Sequence, residues 1–159
     1  MNKITILGIG NILLKDEGFG VRVIEEMQKT YNFSESIQVL DGGTLGMELL
    51  KFLTDTDKLI IVDAVSGTQP AGFIYEFSNE EVKAYFTEKV SMHELGIQDV
   101  LSALEIISKP IKEVVVIGTQ PLIMDVGLEL SPVAASAVEP VIERIINKLS
   151  YWKIEVNKK

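Results

Sequence analysis

The sequence predicts an α/β fold: a single three-layer domain over residues 1–159, with a mostly parallel, twisted sheet of about five strands and helices on both faces. Two observations carry this reading. Apolar, β-branched runs alternate along the chain with segments of helical period, the pattern of strand–helix–strand units. The runs also show little in–out alternation, as expected of strands covered on both sides. A chain of 159 residues with 47% hydrophobic content is the right size to bury one core.

Residues 4–7, 37–40, 59–62 and 114–117 are predicted as the central parallel strands. Residues 72–77 follow Pro70 and alternate more, so they are expected as an edge strand suited to antiparallel pairing. Val21, Ile24, Met27 and Tyr31 recur at helical intervals. So do Ile97, Val100, Leu101, Leu104 and Ile107, and again Val138, Val141, Ile142, Ile145 and Leu149. A further helix is expected to carry Leu45, Leu49 and Leu53, with Thr44 as its cap.

Composition narrows the function classes. No apolar run approaches the ~20 residues that span a bilayer, and MNKITILG leads into a strand with one Lys and no small-residue cleavage site. A soluble, cytoplasmic protein is expected. The absence of Cys excludes disulfides, thiol nucleophiles and thiolate metal sites together. A net charge of −8 repels phosphate backbones. The one basic cluster, Asn157, Lys158 and Lys159, reads as a frayed, solvated end. Neither nucleic acid nor a membrane is expected as a partner.

Each central strand runs into small or acidic residues: Gly8 and Gly10; Asp41, Gly42 and Gly43; Asp63; then Gly118, Thr119, Gln120 and Pro121. In a parallel sheet these ends share one edge, and ligand sites of open α/β sheets lie outside the carboxyl ends of the strands. Asp16 reads as negative charge ahead of a helix beginning near Gly18. Asp41 is open to two readings, a strand-to-helix turn or a site residue, and both require a positive φ or a close chain approach at Gly42 or Gly43. Asp63 leaves a carboxylate at the sheet edge after the buried run LIIV, where an ionised group needs a partner. Glu17, Asp63 and His93, from three separate loops, match the oxygen and nitrogen ligands of a borderline divalent ion with positions left open. A dinucleotide loop at Gly8-Ile9-Gly10 is disfavoured. Leu13 stands in place of the third glycine, and Asp41 is further away than the usual ~20-residue interval.

Five segments, GIGNILLKDEGFGVRV, LDGGTLGMELL, LIIVDAV, SMHELGIQDVLSAL and VIGTQP followed by GLELSPVAAS, cover nearly the whole chain in an order that resembles the [NiFe]-hydrogenase maturation endopeptidases. That resemblance implies an enzyme that trims the C-terminal extension from a hydrogenase large-subunit precursor. It places the family's metal-contacting residues on Glu17 in KDEG, Asp63 in VDAV and His93 in MHEL, and associates Asp41 in LDGGT with function. It also implies that the nickel is carried by the substrate precursor, as the sign that loading is complete, and that the chain holds no tight cofactor of its own. The alternative is a non-catalytic nickel-binding or chaperone protein for hydrogenase assembly using the same ligands. A metal-independent aspartic dyad requires two carboxylates close enough to share a proton, for which the sequence gives no sign.

Overall fold

Runs such as TILGI and LIIVDA have no polar face to offer water, so they make strands that need helices on both sides. The computed structural model describes residues 3–88 and 95–159. In chain order the elements are β1 (Ile4–Ile9), a 3-10 turn (Lys15–Gly18), α1 (Phe19–Thr30), β2 (Tyr31–Asn32), β3 (Ile37–Gly43) and a second 3-10 turn (Met47–Leu49). Then follow α2 (Leu50–Leu53), β4 (Lys58–Ala64), β5 (Ile74–Ser78), α3 (Glu80–Glu88) and α4 (Leu95–Ile106). The chain closes with β6 (Glu113–Thr119), α5 (Pro132–Ala135), α6 (Val138–Tyr151) and β7 (Asn157–Lys158).

The main sheet has the order β3-β1-β4-β6-β5. β1 pairs in parallel with β3 and β4, and β4 in parallel with β6. β5 closes one edge antiparallel to β6, as its alternation suggested. Two cores lie on the two faces. Ile4 and Ile6 of β1 and Ile60, Val62 and Ala64 of β4 join α1 and α6 through Val23, Ile24, Met27, Val141, Ile142, Ile145 and Leu149. Leu7 and Ile9 of β1 and Leu59 and Ile61 of β4 meet Leu49, Leu53, Val82, Phe86, Ile97, Val100 and Leu104 on the other side. The strand period of two thus assigns every residue of the central strands to a face.

Several expectations are corrected. The first helix ends at Thr30, and Tyr31 opens β2 instead, because the C-terminal residues return to pair with it: Tyr31 faces Lys158 and Asn32 faces Asn157. The basic tail is therefore not frayed. The Lys159 N–H donates to Thr30 O and its Nζ to Gln28 O, which also places positive charge at the C-terminal end of α1. Residues 45–53 do not form one capped helix. Gly46 precedes a single 3-10 turn that runs into four helical residues, Thr44 makes no cap bond, and Leu45 is exposed. Two helices went unforeseen. α3 turns Val82, Tyr85 and Phe86 to the core, a set confined to a single helical turn. α5 was announced by Ser131-Pro132, a capping serine followed by an N1 proline, and the Ser131 hydroxyl does accept from Ala134 N–H. Among the described residues, no helix is long and apolar enough to cross a membrane.

Glycines let α1 sit directly on the strands. A β-carbon on Gly20 would collide with the carbonyl oxygens of Val62 and Ile9, and one on Gly8 with Ile24 and the Gly20 carbonyl. Gly20→Ala is therefore expected to lower unfolding stability by about 2 kcal/mol or more, since backbone atoms cannot rotate away as a side chain can. Urea denaturation measures this. An unchanged midpoint would mean that the helix can lift from the sheet without cost.

Candidate functional site

The carboxyl ends of the parallel strands form one row. Asp41 of β3 lies opposite Gly8 of β1, Gly8 opposite Val62 of β4, and Asp63 opposite Gly118 of β6. Gly118 is needed there because a β-carbon would collide with the Asp63 carbonyl oxygen. Asp63 is completely buried, and its Oδ1 accepts from the Ala64 N–H at 2.8 Å. Alternation places its side chain on the face of Leu59 and Ile61, the side on which α4 packs.

Glu17 lies in the Lys15–Gly18 turn, half-buried, and this turn packs against β4, the strand that carries Asp63. Gly10 makes the approach possible: its φ of 131° is open to glycine, and a β-carbon there would strike the Glu17 carbonyl oxygen. The fold thus brings Glu17 and Asp63 to one edge at the ends of adjacent strands. His93 lies outside the described residues. Among the described residues, no three His, Cys, Asp or Glu side chains group as a metal site.

Asp41 is placed differently. It is exposed, it stands on the edge strand, and it shares the face of Val39 and Gly8, which is the α1 side. β1 intervenes between Asp41 and Asp63, so their backbones are about 10 Å apart at the ordinary strand spacing, and their side chains leave opposite faces. They do not form a proton-sharing dyad. Gly43 takes φ 47°, as the turn beside Asp41 requires, and the Leu45 N–H donates to Gly42 O at 2.8 Å.

Two polar networks that sequence reasoning missed hold the loops at this edge. Asp16 stands ahead of α1 as its negative charge suggested, but it is fully buried and bonded to a distant loop. Its Oδ2 accepts from the N–H groups of Leu122 and Ile123 and from the Ser131 hydroxyl, and its Oδ1 from the Ser131 N–H, all between 2.7 and 3.0 Å. The second network centres on Gln120. Its Oε1 accepts from the Gly67 N–H at 2.7 Å and the Tyr75 hydroxyl at 2.8 Å, and Tyr75 Oη accepts from the Gln69 N–H. This fixes the loop that follows Asp63. Neither network leaves a local sequence signal, because the partners are 45 or more positions apart in all but the Tyr75–Gln69 bond. A cavity of ≈ 220 Å³ lined by Val82, Gln98, Leu101 and Val114 lies at the opposite end of β6 and contributes nothing to this edge.

Burial pushes the Asp16 carboxyl up, but the N–H groups of Ile123 and Ser131, the Ser131 hydroxyl and the Leu122 N–H outweigh it and hold the group below the usual carboxylate range. A depressed folded-state pKa gives stability that is complete above the unfolded value and disappears as pH falls through the folded one. Asp16→Asn should therefore cost about 2 kcal/mol or more at neutral pH. The gap to wild type should stay constant from about pH 5 to 8 and shrink below about pH 4. Urea unfolding across that range checks it; a gap that widens on acidification would contradict the assignment.

A family model described as hydrogenase maturation protease matches residues 21–148. The chain is 40% identical over 154 residues, 96% of its length and 94% of the relative's, to the hydrogenase 2 maturation protease of Escherichia coli. It is 37% identical to the hydrogenase expression/formation protein HupD of Bradyrhizobium diazoefficiens, covering 99% of this chain and 83% of that one. The solved hydrogenase maturating endopeptidase HybD from E. coli superposes with a TM-score of 0.95 at 37% identity, covering 99% and 98% of the two chains.

Proposed function

The chain belongs to the hydrogenase maturation protease family and is a peptidase, and from that premise we propose that it removes the C-terminal extension of a [NiFe]-hydrogenase large-subunit precursor after nickel has been inserted, with the precursor's nickel as the recognition element. The observation that carries this reading is the pairing of Glu17 and Asp63 at one sheet edge, with Asp63 turned to the face where α4 packs, the helix that begins two residues after His93. Membership of a protease family removes the purely nickel-carrying alternative.

Glu17, Asp63 and His93 offer one nitrogen and two oxygen ligand groups, a set that suits a borderline divalent ion. A resident zinc site usually has a fuller set, and this chain has one histidine and no cysteine. In the proposed complex the precursor supplies the remaining ligands through its thiolates, so the site is completed only at the protein–protein contact. Coordination by the three side chains then fixes the neighbouring scissile bond in place. A carboxylate of the pair takes the proton of the attacking water, and the substrate's own nickel polarises the carbonyl. Because Asp63 has no solvent exposure, the groups that cover it must move aside when the precursor docks.

Glu17→Gln, Asp63→Asn and His93→Ala are each expected to slow processing by about a hundredfold or more while the fold persists. Mass measurement of the precursor's C-terminus reads this, and wild-type turnover in all three variants would remove the reading. Enzyme treated with a chelator and then freed of it should still cut nickel-loaded precursor and leave nickel-free precursor intact. Loss of activity restored by zinc, with no dependence on precursor loading, would identify an ordinary metalloprotease instead.

A further inference from the structure

Beside Glu17 the chain does something a surface turn does not require. Lys15, two positions earlier, takes φ 47°, a left-handed conformation that costs a residue with a β-carbon ~1 kcal/mol and persists only where its surroundings enforce it. Both flanks enforce it. The Lys15 N–H donates to Gly127 O at 3.0 Å, the Gly127 N–H to Leu13 O at 2.8 Å, and the Asp16 N–H to Ile123 O at 3.0 Å. The aliphatic stem of Lys15 lies directly over Gly127. The buried Asp16 carboxylate completes the junction with four accepted hydrogen bonds from Leu122, Ile123 and Ser131. A strained residue and a four-donor buried carboxylate thus occupy the first two positions of the turn that presents Glu17.

We propose that Asp16 is a positioning residue: it touches none of the reacting groups, and it acts by locking the Lys15–Gly18 turn to loop 121–131 so that Glu17 is held at the end of β4. The inference rests on the role proposed above for Glu17 and adds the device that sets its geometry. A carboxylate suits the task because it is acceptor-only and can take all four donors at once, whereas the amide of Asn turns two of its hydrogens toward them. With the clamp weakened, the strain at Lys15 is free to relax and the turn shifts. Asp16 is buried and presents no surface to the substrate, so docking is expected to persist while the ligand arrives out of place.

The test measures kcat and KM for nickel-loaded precursor with wild-type protein, Asp16→Asn and Ser131→Ala, at a temperature where circular dichroism shows each variant fully folded. Asp16→Asn is expected to lower kcat by about tenfold or more with KM within about twofold, and Ser131→Ala, which removes one of the four bonds to Asp16 together with the α5 cap on Ala134 N–H, to lower kcat by less. Loss of fold alone predicts a smaller active fraction with an unchanged rate per folded molecule, which active-site titration separates from this outcome. A folded Asp16→Asn with wild-type kcat, or with a change in KM alone, overturns the proposal. Should Asp16→Asn not fold, wild-type kcat in Ser131→Ala overturns it. If wild-type protein itself leaves loaded precursor uncut, the functional reading fails instead, so the two failures are distinguishable.

Discussion

The carbonyl oxygens of Ile9 and Val62 occupy the space that any β-carbon on Gly20 would need, so α1 meets β1 and β4 backbone to backbone. This close seating fixes more than a helix. The turn that precedes α1 is drawn over the ends of the two central strands, Gly10 admits its carbonyl, and Glu17 comes to stand at the end of the strand that bears Asp63. A helix held one methyl group further out would separate the two carboxylates and uncover the apolar strand ends. Two charges can share this edge because the backbone was brought there first.

Charge at such an edge is costly, and the structure meets the cost by distributing it. Asp16 is satisfied entirely by donors of a distant loop and so acts as structure. Asp63 is equally buried, and its Oδ1 takes the Ala64 N–H. Asp41 is exposed on the edge strand and turned to the other face. Three aspartates near the ends of parallel strands therefore occupy three different electrostatic situations, and residue type alone could not rank them. The loops that carry or follow the site residues are each tied by a side chain acceptor, Asp16 on one side and Gln120 on the other. Both loops are thereby held by bonds made within the chain itself.

Much of this was legible in the sequence, for reasons that differ by element. Runs such as LIIV, short, β-branched and alternating with helical segments, read as central strands, and their alignment put Glu17 and Asp63 at one edge without any motif. α6 declared itself through Val141, Ile142, Ile145 and Leu149, all of which are buried. The failures are of another kind. The register of β3 determines that Asp41 faces away from Asp63, and register depends on pairings with β1 that no local pattern encodes. The tail at Asn157 and Lys158 looked solvated because the strand it pairs with, β2, is itself two residues long and lies far away in the chain. The burial of Asp16 was invisible because its four bonds come from residues more than a hundred positions downstream. Short-range signals identified the central strands and the longer helices; long-range contacts decided where each carboxylate sits.

Nickel X-ray absorption on loaded precursor, alone and freeze-quenched with the wild-type chain before cleavage, tests the central claim most directly. The account predicts that the sulfur-rich coordination of the precursor's nickel gains oxygen and nitrogen ligands on mixing, and that this gain is lost with Glu17→Gln. An unchanged nickel spectrum in a mixture that goes on to be cleaved at the wild-type rate would contradict it.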